Sequence, residues 1–179
     1  MAYDFFGIPV SEINVWLIWI LPFAAALIIP AVGKFSKIST GRVAVAFAAM
    51  SAISAATLFP MALQAHEIHH QIMWIDAIGI KAGVLADPLS VIMANVVGWI
   101  SFLIMCYSTG YMKGDKDIMR FWFWMMFFIG SMQLIVLSDN LLQIFFGWEG
   151  VGLASYALIS FWYRDKKKDH VGQEGRSAL

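Results

Sequence analysis

Five apolar stretches, at 15–32, 43–63, 89–107, 121–137 and 141–163, set the terms for what this chain can fold into. Each is close to the roughly 20 residues that a helix needs to cross the hydrocarbon core of a bilayer. The first four contain no charged residue. A soluble α-protein would have to cover all of them with polar chain. With 13% charged residues against 60% hydrophobic ones, there is too little polar chain to do so. The sequence therefore reads as an all-α membrane protein whose partner along these segments is the lipid bilayer. Pro22, Pro30 and Pro60 fall inside or at the ends of two stretches, where neighbouring helices satisfy the freed carbonyls. The formal net charge is zero, which gives no ground for a nucleic-acid partner. The single cysteine, Cys106, excludes a disulfide framework within the chain and a four-cysteine zinc or iron–sulfur cage. Asp4 and Glu12, with no basic residue before them, do not make a cleavable signal peptide.

Basic residues give the expected orientation. Lys34, Lys37 and Arg42 follow the first stretch, Lys113, Lys116 and Arg120 follow the third, and Arg164, Lys166, Lys167, Lys168 and Arg176 follow the fifth. Only Lys81 of the twelve basic residues falls on the other side. The positive-inside rule places the N-terminus outside and the C-terminus in the cytoplasm. It also supports the helix count, because a wrong count would scramble the alternation. Trp16 lies near the outer end of the first stretch, and Tyr107, Trp122, Trp124, Trp162 and Tyr163 lie near inner ends, as an interfacial aromatic belt would. The expected organisation is a transmembrane region at 1–163 and a charged cytoplasmic tail or loop at 164–179. The expected location is the cell membrane, with the mitochondrial inner membrane as the alternative.

The fourth and fifth stretches are joined by Ser138, Asp139 and Asn140 alone, so they form a tight antiparallel hairpin of helices. The outer loop at 66–87 is longer. Its Ile72, Trp74, Ile78, Ile80, Val84 and Leu85, interrupted by Gly79 and Gly83, suit a short β-hairpin on the outer face. Asp87 followed by Pro88 is a helix-start signal, and Asp139-Asn140 caps the fifth helix.

Glu149 carries the most chemical information. It lies roughly 12 Å along the fifth helix, counted from Leu141 at 1.5 Å per residue, and so near the bilayer midplane. A charge there costs at least about 2.5–3.5 kcal/mol, which marks a functional candidate. No basic residue lies at a similar depth, so Glu149 is protonated, paired with another chain, or hydrated through an internal water path. A desolvated carboxyl favours its proton-carrying form. The competing reading is a neutral carboxyl hydrogen-bonded to a neighbouring helix. Gly147, Gly150 and Gly152 flank it and permit close helix approach. On a helical wheel Glu149, Gly152, Tyr156, Ser160 and Tyr163 share a face, which fits either a hydrated half-channel or a packed seam.

His66, Glu67 and His70 match the H-E-x-x-H zinc-protease pattern. They stand in a polar loop where no helix is evident, and no spacing argument makes Asp76 or Asp87 a third ligand. No zinc site is expected. Nothing resembles a dinucleotide loop, a P-loop or a haem-binding histidine pair inside the membrane, so no cofactor and no bound nucleotide is expected for this chain.

The run SDNLLQIFFGWEGVGLASYALISFWY at 138–163 resembles the helix-five region of the antiporter-like subunit L of respiratory complex I, chain 5 in mitochondria. The core Gly147-Trp148-Glu149-Gly150-Val151-Gly152 carries the resemblance most specifically. Asp87-Pro88-Leu89-Ser90, and the stretch from Tyr107 to Met112 followed by Arg120-Phe121, agree with it. The resemblance covers nearly the whole chain and implies the N-terminal portion of that subunit. It implies a proton-translocating membrane subunit of an NADH:quinone oxidoreductase, without a redox centre and with other membrane subunits as partners. The family's helix-five glutamate maps onto Glu149, its proton relay, supported by Gly147, Trp148, Gly150, Gly152 and Tyr156. The family has many more helices, including later ones that bear a lysine partner for this glutamate, and a long lateral helix. None of these lies within the 179 residues, which puts autonomous transport in doubt. The charged stretch at 164–176 looks longer than in bacterial members of that family, which keeps donors other than NADH open. The alternatives are a related cation/proton antiporter, a membrane hydrogenase or an F420H2 dehydrogenase complex, and, from another class, a membrane zinc protease.

Overall fold

The computed structural model describes residues 4–5, 8–76 and 79–162; the charged segment beyond, Tyr163 and Ile78 lie outside the described residues. A two-residue pairing of β1 (Asp4–Phe5) with β2 (Ile8–Pro9) leads into α1 (Val10–Gly33). Then follow α2 (Lys37–Thr57), the short α3 (Phe59–Leu63), the strands β3 (Ile68–Ile75) and β4 (Ile80–Ala86), α4 (Pro88–Tyr111), α5 (Ile118–Leu137) and α6 (Leu141–Ile159). Among the described residues five spans are long and apolar enough to cross a membrane, in the places the apolar stretches indicated.

The boundaries differ from the sequence reading in physically informative ways. Helix α1 begins at Val10 rather than 15, and α4 runs on to Tyr111 rather than 107. The second stretch is not one helix. Pro60 has no N–H to continue the i→i−4 ladder, so α2 closes at Leu58 and the chain restarts as α3 with proline in its first turn. Helix α6 stops at Ile159, short of 163. Ser160 caps it, with its Oγ donating to the Tyr156 carbonyl at 2.5 Å.

Small residues set the packing. Ala44, Ala48, Ala52 and Ala55 of α2 are buried, which brings α2 close to α1 and α4. Where α2 crosses α4, a Cβ on Gly98 would stand 3.2 Å from the Ala52 Cα. Polar side chains then tie the helices through backbone carbonyls. Ser51 Oγ donates to Ile18 O at 2.6 Å, Asn95 Nδ2 to Ala55 O at 2.9 Å, and Gln133 Nε2 to Ala94 O at 3.0 Å. In hydrocarbon such bonds contribute about 0.6–2 kcal/mol each. Two apolar clusters result. One, around Val15, Leu58, Val84 and Leu137, sits under the β-hairpin; the other, around Ile29, Met105, Trp122 and Met126, sits at the opposite end. Helix α5 packs on α1 and α6, and α6 leans on α5.

The β-hairpin is present as the outer loop suggested. Strands β3 and β4 pair antiparallel from Ile68↔Ala86 to Ile75↔Ile80, with an irregularity between Met73 and Ile75. The turn uses Gly79 at φ 67°, a left-handed conformation that glycine takes without strain.

Candidate functional site

Helix α6 is pinned at both ends. At its N-terminus Asn140 Oδ1 accepts from Gln143 N at 2.9 Å, an N-cap on the first turn. Gln143 Oε1 in turn accepts from Gly83 N of β4 at 3.0 Å, and Asn140 Nδ2 donates to Lys81 O at 3.2 Å. Asp139 presses its carboxylate onto Gly83, where a Cβ would meet Asp139 Oδ2 at 2.0 Å. The same carboxylate takes Gln71 Nε2 at 2.6 Å and His69 Nε2 at 3.0 Å. Burial pushes the Asp139 carboxyl up, but hydrogen bonds from Gln71, His69 and Asn140, with attraction to His69, hold it below its ordinary value. Trp74 adds an edge-on contact to Phe146, with centroids 5.7 Å apart. At the far end Arg120 Nη2 donates to the Phe161 carbonyl and its guanidinium lies 4.8 Å from the Phe161 ring centroid. Trp162 Nε1 donates to Asp115 Oδ2 at 3.3 Å.

Between these anchors the helix has two distinct faces. Gln143, Gly147, Gly150 and Ala154, at spacings of four, three and four, are buried against α5. Gly147 meets the Ser131 carbonyl and Ile135, and Gly150 meets Ser131 Oγ. Glu149 is on the other face, exposed, with exposed Trp148, Gly152 and Leu153 around it and partly buried Tyr156 and Ser160 further along. It has no hydrogen bond or ion pair among the described residues, and it is the one carboxylate in the middle of a span among them.

The three glycines that flank Glu149 divide between these two faces. Gly147 and Gly150 do admit a neighbouring helix, α5, but Gly152 has nothing within 4 Å and belongs to the glutamate's open face. Among the described residues nothing covers that face at Glu149 and Gly152. Among the described residues Glu149 makes no hydrogen bond to a neighbouring helix.

The H-E-x-x-H histidines are separated by the fold. His66 and Glu67 are in coil and Ile68 opens β3, so the one-face geometry of a helix does not arise. His69 faces Asp139, whereas His70 Nδ1 accepts from Trp16 Nε1 at 3.1 Å with its Nε2 3.7 Å from Glu12 Oε2. Asp87 is an N-cap in a reciprocal capping box with Ser90; hydrogen bonds from Ser90 hold its carboxyl below its ordinary value. Two residues went unremarked in the sequence. Gln143 is the latch between α6 and the hairpin. Gln133 is fully buried in α5, with its Oε1 unpartnered. Both are lone amides in apolar stretches, the kind of polar membrane residue that is costly without a purpose.

The fold and the site together define a multi-pass helical membrane protein that carries a mid-span carboxylate on an uncovered helix face. Family comparison makes this more specific. Residues 73–122 match the family described as NADH-ubiquinone oxidoreductase (complex I), chain 5 N-terminus, and residues 138–174 match NADH:quinone oxidoreductase/Mrp antiporter, TM. NADH-quinone oxidoreductase subunit L of Rickettsia bellii is 41% identical over 152 residues, covering 82% of this chain and 24% of the relative. Subunit L of Mycobacterium tuberculosis is 36% identical over 156 residues, 83% of this chain and 24% of its own. The chloroplastic subunit 5 of Spinacia oleracea is 36% identical over 158 residues, 83% of this chain and 21% of its own. The chain thus spans about a quarter of the length of these curated relatives. A structure of the Mrp complex from Dietzia sp. DQ12-45-1b shares the fold, with a TM-score of 0.68 at 24% identity over 81% of this chain and 16% of that one. Over the part it spans, the chain is thus similar to the antiporter-like subunit L (chain 5) of complex I.

Proposed function

We propose that this chain forms part of a proton-translocating membrane subunit of a complex I-type NADH:quinone oxidoreductase, and that Glu149 is its proton relay. The observation that carries the reading is the placement of Glu149. A carboxyl about 12 Å along α6, on an open face between two anchored helix ends, is costly in lipid and has no hydrogen-bond or ion-pair partner among the described residues. A carboxyl exists in a proton-carrying and a charged form, and a relay needs both. The open face, with Gly152 removing bulk beside it, leaves room for that charge or for water. Gln143, tied to Gly83, fixes the depth of α6 and so of the carboxyl. Electron transfer belongs to other subunits, and this chain brings no redox centre of its own.

The basic end of the bundle supports an N-out, C-in orientation. Arg42, Lys113 and Lys116 come together around one recess, while Lys81 lies on the hairpin at the other end. The description shared by the family model over 138–174 with Mrp antiporters keeps a cation/proton antiporter as the second reading.

The test is Glu149→Gln in the assembled complex. Glutamine keeps the size and the hydrogen bonds but exchanges no proton. The expected result is a strongly reduced proton gradient per electron transferred in vesicles, with assembly intact on native gels and partial activity in Glu149→Asp. Normal pumping by an assembled Glu149→Gln variant removes Glu149 from the mechanism.

A further inference from the structure

At the end of the bundle opposite the hairpin, the start of α2, the end of α4 and the loop into α5 enclose a recess of about 830 Å³. That is within the range of small-ligand sites. Three cations line it, Arg42, Lys113 and Lys116, with one acid, Asp115. The acid is already engaged: its Oδ1 accepts from Asp117 N at 2.8 Å and its Oδ2 from Trp162 Nε1 at 3.3 Å. The remaining wall is uncharged. Gly110 leaves open space, and Ile118 and Trp122 form an apolar floor. Trp122 is 1% exposed, and its indole N–H is buried without an acceptor. Arg42 stands in the first turns of α2 and Lys113 just past the end of α4, at the depth where a leaflet's headgroups begin.

We propose that this recess binds the phosphodiester headgroup of an anionic phospholipid. The negatively charged phosphate oxygens meet Arg42 and Lys113, while the apolar floor takes the glycerol and the first methylenes of the acyl chains. The site lies apart from Glu149 and does not depend on the transport reading.

The experiment is native mass spectrometry of the full chain in detergent, titrated with phosphatidylglycerol, with phosphatidylcholine, and with phosphatidylglycerol in the presence of inorganic phosphate. Phosphatidylglycerol should bind at least about tenfold more tightly than phosphatidylcholine. Arg42→Gln and Lys113→Gln should each weaken it about fivefold, and the double variant about twenty-fivefold. Lys81→Gln, at the other end, should leave it unchanged. Gly110→Leu keeps every charge but fills the open space, and it should weaken binding as well. Equal affinity for the two lipids, or no loss in the double variant, overturns the proposal. Full binding by Gly110→Leu places the lipid outside the recess and also overturns it. Displacement of phosphatidylglycerol by an equal concentration of inorganic phosphate makes the ligand the free anion and overturns the lipid assignment.

Discussion

Replacing Gly147 with alanine tests whether the two faces of α6 are correctly assigned. A Cβ at Gly147 would stand 2.7 Å from Ile135 Cγ1 and 3.0 Å from the Ser131 carbonyl oxygen. The isoleucine can turn away, but the carbonyl belongs to the α5 backbone, so the two helices must separate. Overpacking of this kind costs about 1–3 kcal/mol. Alanine also gains up to about 1 kcal/mol of helix propensity over glycine. Gly152→Ala gains the same propensity without meeting an atom within 4 Å. The difference between the two variants therefore isolates the clash, and it should be about 1–3 kcal/mol. Gly150→Ala is the intermediate case. Its Cβ would come within 2.3 Å of Ser131 Oγ, a side-chain atom that donates to Phe127 O at 2.8 Å. Ser131→Ala should rescue Gly150→Ala and should not rescue Gly147→Ala. The assay is unfolding of the purified chain in mixed micelles with a rising fraction of denaturing detergent, followed by far-ultraviolet circular dichroism. Equal destabilisation by Gly147→Ala and Gly152→Ala would refute the assignment of faces.

Asp139 should govern an acid limb of hairpin docking. Its docked carboxyl titrates below the ordinary value of 3.8, so its contribution is complete above that pH and is lost as the pH falls through the lowered docked value. Asp139→Asn should cost about 1–3 kcal/mol at neutral pH and flatten the wild type's loss of hairpin amide protection below pH 3.8; identical acid limbs in the two proteins would remove Asp139 from the docking. For orientation, a reporter fused after Trp162 should be active only in the cytoplasm. One inserted at Gly79 should be active only outside, and the reverse pattern would invert the topology.

The helices were legible because the cost of exposing backbone and charge to hydrocarbon leaves few alternatives for stretches such as those around Ile100 or Met126. Their ends were less so. The break at Leu58 depends on how far the ladder survives the missing N–H of Pro60, and the end of α6 at Ser160 depends on a cap that spacing alone does not reveal. The hairpin was readable from Gly79 and the β-branched and aromatic residues around it. Its docking was not, because the contacts of Gln143 and Asp139 with Gly83 join residues far apart in sequence. The wheel placed Glu149, Gly152 and Tyr156 together correctly. It could not tell which side of α6 meets α5, since glycines occur on both.

The open face of α6 leads to a last prediction. Phe145, Trp148 and Leu153 are exposed at 54%, 68% and 48%, as lipid would favour, yet Glu149 and Gly152 lie among them. Lipid tails gain nothing from a glycine notch and cannot satisfy a carboxylate. A neighbouring helix gains from both, because glycine allows close approach and a polar group or water can then reach the acid. If that face is covered on assembly, the reactivity of Glu149 must change with it. An apolar carbodiimide, which partitions into micelles and couples to carboxyls it reaches there, should modify Glu149 in the isolated chain, where the face is open. In the assembled complex the same reagent should react several-fold more slowly. Peptide mass spectrometry reads the modification at Glu149, with Glu149→Gln as the blank and Glu67, exposed and outside the spans, as the internal reference. Equal rates in the isolated and assembled states would mean that the face stays towards lipid, and the partner of Glu149 would then have to reach it as water or lipid headgroup rather than as protein.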